Sequence, residues 1–429
     1  MKKIVASFSL VAIGATGLQA DLLPGLTAES GKPWTTSATL RGFYDDNPST
    51  LPNSTRPQGS YGFEVSPAIE FNFPMEQTTL SFGYVYSYKY YEHQLAGSTG
   101  HDDNTHDFHA ALTHAFSERY SFSVRDSFVI GQEPDFLQAG NTYSTFQRIS
   151  GNNMRNFGAI DFTAQLTPQF GLDLGYANTM LSYSDNTNPI STGTPSYSGL
   201  YDYLDHVIHL DGRYQLQPQT VGIVGVQFRE TDYTGHQPIG LYDSGQYVMS
   251  GDRDVRSYYG YVGLDHNFLP DLTGSVRVGG RYSDYYDSAA SQNQVSPYVM
   301  TSLKYTYLPE SSIQLGGSLD YSPSALGPAA NQANEINTSA QAGTVFAAVN
   351  HRILPKLYGG LQAQYQHSTY FGGINDNKTA DFYLLGLSLR YQFTPNFSSE
   401  IGYDYDNLGS EVQPHYDRSR VYIGITGSY

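Results

Sequence analysis

Thr273, Ser275, Arg277, Gly279, Arg281 and Ser283 alternate along the chain with Leu272, Gly274, Val276, Val278, Gly280 and Tyr282. An extended strand sends successive side chains to opposite faces. One face here therefore carries guanidinium and hydroxyl groups, and the other is mostly apolar. The pattern recurs where Asp205, His209, Asp211 and Arg213 oppose Leu204, His206, Ile208, Leu210 and Tyr214. Arg125, Lys304 and Arg390 take the same polar parity with Asp265 and Glu400, as do Glu70, Asp161, Asp173, Asp320 and Asp404. Charges of both signs on one wall pair across strands and set a transverse field that orders water and filters polar solutes. The same charges serve equally well to brace the wall of a narrow or plugged barrel, and both readings stay open here.

Other chemistry is weaker. His101, His106, His109 and His114 could ligate a metal, but His106 and His114 share a strand face that His109 does not. No carboxylate or thiolate pattern fixes a ligand geometry, so scattered histidines are the better reading. Asp45-Asp46-Asn47 lacks the spacing of a calcium loop and reads as an acidic turn. There is no cysteine and no nucleophile elbow, so no catalytic, cofactor or metal residue is assigned and the chain is not read as an enzyme.

Proline shows which elements hold these faces. Pro168, Pro218, Pro270, Pro309, Pro355 and Pro395 each sit in a short turn between two long alternating segments, at intervals of 39 to 52 residues by subtraction. A residue that cannot donate to a ladder belongs in a turn. With Pro74 and Ser117-Glu118-Arg119 there are eight short turns, and nine longer, polar connections join the other ends. Seventeen connections imply eighteen strands, give or take two, because residues 336–354 show ambiguous parity. The expected fold is all-β: a transmembrane, antiparallel up-and-down barrel with short periplasmic turns and long external loops. A β-propeller also repeats at this interval, but it would need four short strands per repeat rather than two long ones.

The third long connection runs from Glu133 and Asp135 through Arg148. Folded inward, it would set its acids against Arg277 and Arg281 and narrow the channel.

Composition agrees. Tyr accounts for 38 of the 429 residues, and a large soluble core would need more aliphatic side chains than the chain provides. Met1-Lys2-Lys3 and the apolar stretch from Ile4 to Leu18 suggest a signal peptide over 1–20, followed by a short periplasmic segment over 21–33 and the barrel over 34–429. Removing Lys2 and Lys3 takes the formal charge from −17 to −19, which argues against nucleic acid as a partner. The chain ends Val421-Tyr422-Ile423-Gly424-Ile425-Thr426-Gly427-Ser428-Tyr429, an alternation closed by an aromatic residue. Tyr429 is expected to be the signal read by the outer-membrane assembly machinery.

Tyr44-Asp45-Asp46-Asn47, Val65-Ser66-Pro67, the run from Tyr84 to Tyr91, Asp107, His109 and Ser123-Val124-Arg125-Asp126 resemble the putative beta-barrel porin 2 family, and Gln132-Glu133-Pro134-Asp135 extends the likeness. The resemblance implies an outer-membrane barrel and pore formation, with no catalytic residues to carry over. The expected function is a passive channel for small hydrophilic solutes. The expected surroundings are outer-membrane lipid and lipopolysaccharide, with the oligomeric state open. A polysaccharide export conduit would show a lumen of one charge sign. A non-conducting structural or adhesion barrel would show a lumen filled with large aromatics.

Overall fold

Proline in the first place of a two-residue turn presets the backbone and gives up no ladder hydrogen bond. Leu269 pairs with Leu272 around Pro270-Asp271, and Leu354 pairs with Leu357 around Pro355-Lys356. Gln217 with Thr220, Leu308 with Ser311, and Thr394 with Phe397 close the same way. Around Pro168 the Thr167 hydroxyl accepts the N–H groups of Gln169 and Phe170 at 3.3 and 3.0 Å. Pro74 ends its strand one place before the turn.

The computed structural model describes residues 33–95, 100–131, 139–140, 142–143, 148, 152–184, 196–241, 247–286, 293–323, 339–371 and 375–429. Its strands are β1 (Trp34–Asp45), β2 (Ser60–Pro74), β3 (Thr78–Tyr91), β4 (Asp102–Ala115), β5 (Tyr120–Gly131), β6 (Asn153–Gln165), β7 (Phe170–Tyr183), β8 (Tyr203–Gln217), β9 (Thr220–Asp232), β10 (Pro238–Leu241) and β11 (Tyr247–Met249). They continue as β12 (Val255–Leu269), β13 (Leu272–Asp284), β14 (Gln294–Leu308), β15 (Ser311–Pro323), β16 (Ser339–Leu354), β17 (Leu357–Phe371), β18 (Thr379–Thr394), β19 (Phe397–Ser410) and β20 (Tyr416–Ser428). A short helix, α1 (Tyr197–Tyr201), lies between β7 and β8.

Eighteen strands form one antiparallel sheet, and β10–β11 is a separate hairpin within the connection from β9 to β12. The sheet closes because β1 pairs with β20 as well as with β2. Closure is finished by Thr36, which donates to the Tyr429 carbonyl at 3.0 Å and accepts its N–H at 2.8 Å. The Trp34 and Tyr429 rings meet at 5.9 Å.

Strands of 12 to 16 residues exceed the roughly 9–11 that a tilted strand needs to cross hydrocarbon. Burial is inverted relative to a water-soluble protein. Val224, Val226, Val262, Val278 and Ile423 are exposed on the outside, while Asp205, His209, Asp211, Gln227 and Arg229 are buried within. That arrangement is stable only where lipid covers the outside. Aromatic residues gather at both ends of the outer face, with Tyr391, Phe393 and Phe397 near the turns and Phe228, Tyr258 and Tyr282 near the loops. Among the described residues no helix is long and apolar enough to span a membrane.

Candidate functional site

The closed sheet turns one parity of every strand inward, and the ten predicted wall residues all lie on that parity. On β8 and β9, Asp205 accepts from Arg229 Nε at 2.7 Å and from Thr231 Oγ1 at 2.6 Å. Asp211 accepts the Tyr261 hydroxyl at 2.6 Å, and Arg213 reaches Asp173 at 3.0 Å. Arg277 pairs with Asp265 at 2.8 Å. Arg281 is buried, donating to the Tyr321 carbonyl and the Ser257 hydroxyl at 2.7 Å each, with Asp320 at 3.7 Å. Arg125 is exposed and makes a longer contact, 3.4 Å, with Asp161.

The opposite wall repeats the scheme. Glu400 lies 3.8 Å from Arg41, which also binds Glu64 at 3.1 Å. Arg390 stands opposite Glu400 in register and lies over the Tyr358 ring at 5.5 Å. Lys304 is exposed and has no ion pair among the described residues. Seven of the ten predicted charges thus lie within 4 Å of an opposite charge on the adjacent or next-but-one strand, rather than forming a track of one sign.

Several members of this network were missed from sequence: Arg229, Arg41, and Arg418 and Arg420, which pair with Asp45 at 2.6 Å and with the predicted Asp404 at 2.9 Å. Parity was the available signal. Arg229 falls in step with Gln227 and Thr231, and Arg418 and Arg420 fall in step with Tyr416 and Tyr422.

The connection between β5 and β6 crosses this interior. Ala139, Gly140 and Tyr143 donate their backbone N–H groups to the side-chain carbonyls of Gln362, Gln364 and Gln366 at 3.1, 2.7 and 2.8 Å. Gln366 Nε2 donates back to the Tyr143 carbonyl at 2.7 Å. The Tyr143 ring meets Phe382 edge-on at 5.6 Å, and the Thr142 and Thr344 hydroxyls lie 3.2 Å apart. Further along, Arg148 Nη2 donates to both carboxylate oxygens of Asp103 at 2.7 and 2.6 Å, and its N–H donates to Thr50 at 2.6 Å. Counted the shorter way round, through β1 and β20, β17 is eight strands from β5, so the connection spans the lumen as a strap. Glu133 and Asp135 lie outside the described residues.

The strap explains the ambiguous parity of 336–354. The inward residues of β16 include Ala340, Ala342, Phe346 and Ala348, all buried. Ala340 belongs to an apolar cluster with Tyr370, Ala380, Phe382, Leu384, Leu408 and Tyr416, against which Tyr143 packs. A strand whose inner face meets a packed loop instead of water has no reason to be polar there.

Outside the membrane-spanning strands, two groups are electrostatically unusual. Burial pushes the Asp46 carboxyl above its ordinary range, and nearby Asp45 adds to the shift, against a hydrogen bond from Ser419. Arg253 is wholly buried over the Tyr233 ring at 3.8 Å and donates to the carbonyls of Gly199 and Leu200 at 2.8 and 3.0 Å. It clamps two neighbouring external connections together, and burial lowers its pKa.

The four histidines weighed as ligands are dispersed. His101 meets the Tyr91 carbonyl at 3.1 Å and His106 the Tyr84 hydroxyl at 2.8 Å, while His109 reaches Glu70 at 2.9 Å and His114 reaches Thr78 at 2.8 Å. No group of three or more metal-ligating side chains comes together among the described residues.

Three solved barrels resemble this one. OpdK, an outer membrane protein of Pseudomonas aeruginosa, is 12% identical, with 92% of this chain and 99% of that one covered at a TM-score of 0.44. OccAB4 of Acinetobacter baumannii is 12% identical, with 93% and 99% covered at 0.43. A BenF-like porin of Pseudomonas fluorescens Pf-5 is 12% identical, with 92% and 99% covered at 0.45. No curated protein matches the chain in sequence. The family model for putative beta-barrel porin 2 matches residues 35–429, and the chain belongs to that family of outer-membrane barrels.

Proposed function

We propose that this barrel is a passive channel for small hydrophilic solutes, narrowed by the strap between β5 and β6. The observation that carries the reading is the division of the wall into an apolar outside and an inside of paired charges and amides. A lumen of this kind holds ordered water, and its paired charges favour neutral or zwitterionic solutes over strongly charged ones. Mixed signs count against a conduit for a polyanionic chain. The family is one of channels, and the chain is read as carrying out no catalysis.

The strap with its apolar cluster favours a second reading, a barrel occluded at that level. Single-channel recording of the refolded protein in planar bilayers separates the two. A stable conductance supports the channel, and its absence together with exclusion of small sugars in liposome swelling overturns it.

Three finer assignments belong to this reading. Glu133 and Asp135 supply the acid of the constriction, an idea overturned if reversing both charges leaves ion selectivity unchanged. Residues 1–20 are removed on export and 21–33 lie in the periplasm, which N-terminal sequencing of the mature protein tests. Tyr429 is read by the assembly machinery during insertion.

A further inference from the structure

The outward face of the wall has one residue out of place. On β5 the outward positions are Tyr120, Phe122, Val124, Asp126, Phe128 and Ile130, so a carboxylate sits between apolar residues above and below. Asp126 lies six positions beyond Tyr120, which at about 3.3 Å per residue and a tilt of about 40° is roughly 15 Å above the turn. The apolar band of such a barrel is about 25 Å tall, so this carboxylate lies near its middle. The other outward acids on the described strands, Asp102, Glu230, Asp232, Asp284, Asp381 and Asp417, all fall within three residues of a loop end.

Asp126 is exposed on the outer face. Its register neighbours are Ala110 on β4 and Gly158 on β6, the two smallest side chains available. Its carboxylate leans over Gly158, where an added Cβ would lie 3.4 Å from Oδ1. Its one hydrogen bond among the described residues comes from Asn156 Nδ2 at 3.1 Å. Asn178 continues the same row beyond Gly158. The result is a shallow depression holding an acceptor and two side-chain amides, ringed by Phe128, Ile130, Met154, Val124 and Ile160. An ionisable group facing acyl chains at this depth is costly, and its presence there marks an intramembrane contact.

We propose that this face of β4–β7 is where a second copy of the chain packs, with Asp126 covered by the partner wall rather than by lipid. Two barrels with the same membrane orientation are related by an axis along the membrane normal. That axis calls for a patch complementary to itself. Asp126 supplies the acceptor. Asn156 Nδ2 is held within its own wall by Asp126 and the Ser127 carbonyl at 3.1 and 3.2 Å, and Asn178 Nδ2 by the Asp205 carbonyl and His206 at 3.3 and 3.4 Å. Packing exchanges these long contacts for the partner's carboxylate. Ala110 and Gly158 let the walls approach closely, as small residues do between membrane-embedded elements.

The test uses the mature barrel in mild detergent and in nanodiscs, with mass measured by light scattering. The chain has no cysteine, so a single introduced one reports only on contacts between copies. Phe128→Cys beside the patch should crosslink two barrels under mild oxidation. Leu387→Cys, on the far wall and exposed at similar depth, should not. Asp126→Leu should reduce the fraction of oligomer severalfold. A mass of one barrel under all conditions, equal crosslinking from both positions, or an unchanged oligomer after Asp126→Leu would overturn the proposal. Because Phe128→Cys keeps Asp126, the test survives a failure of Asp126→Leu to fold. A monomer made more stable by Asp126→Leu would instead mark a carboxylate that faces lipid.

Discussion

Gln366 holds Tyr143 by both halves of its side-chain amide, accepting the backbone N–H at 2.8 Å and donating to the backbone carbonyl at 2.7 Å. A glutamine on the wall thus does for a loop peptide what a neighbouring strand would do, and Gln362 and Gln364 extend the row. Sealed backbone groups need such partners, because each one left unpaired costs about 1–3 kcal/mol.

Replacing Gln366 with Leu is therefore expected to loosen the strap. Single-channel conductance should rise, more so in the Gln364→Leu/Gln366→Leu pair, while the unfolding temperature falls. Conductance unchanged in the double variant would show that the strap does not limit the pore.

The other anchor is ionic. Arg148 and Asp103 are each 2% exposed at 2.6 Å. Arg148→Ala strands a buried carboxylate and should cost about 3–5 kcal/mol, whereas Arg148→Met with Asp103→Leu should recover most of it. Unfolding midpoints in detergent, followed by heat-modifiable mobility, compare the two.

Selectivity should follow the charges left over after pairing. Lys304 is exposed and has no ion pair among the described residues, so Lys304→Glu should shift the reversal potential in a salt gradient toward cations. Arg229→Gln with Asp205→Asn removes a buried neutral pair and should leave that potential close to wild type.

Asp46 predicts a pH effect. Its folded pKa is raised above the ordinary 3.8, so the fold prefers the protonated acid. The benefit is complete below 3.8 and is lost as pH rises through the higher folded value. Asp46→Asn keeps an oxygen for the Ser419 N–H and should stabilise the barrel at neutral pH. It should have little effect at acid pH. Thermal unfolding at several pH values reads the difference, and an equal effect at every pH would refute the assignment.

Tyr429 completes the closure of the barrel. Deleting it removes two hydrogen bonds to Thr36 and the ring contact with Trp34. The folded fraction in outer membranes should fall, while unassisted refolding into detergent should fall less if the residue is also read by the assembly machinery.

Much of this architecture was legible in the chain. Arg277 and Arg281 alternate with Val276, Val278 and Gly280, and Pro270 separates Leu269 from Leu272. Those are local facts, because side-chain direction repeats every two residues and proline withholds its donor from any ladder. They determined eighteen strands, the side bearing the short turns and the inward charges. The meaning of β16 was not legible, since its inner face shows no parity until Ala340 is seen in the cluster that Tyr143 packs on and Thr344 is seen beside Thr142. Nor was the grip of Gln366 on Tyr143, two groups 223 residues apart in the chain. The depth of Asp126 also needed the strand boundaries and the register of β4–β6. Tertiary structure decided these because pairing across a closed sheet depends on how all eighteen registers add up, and no segment carries that sum by itself.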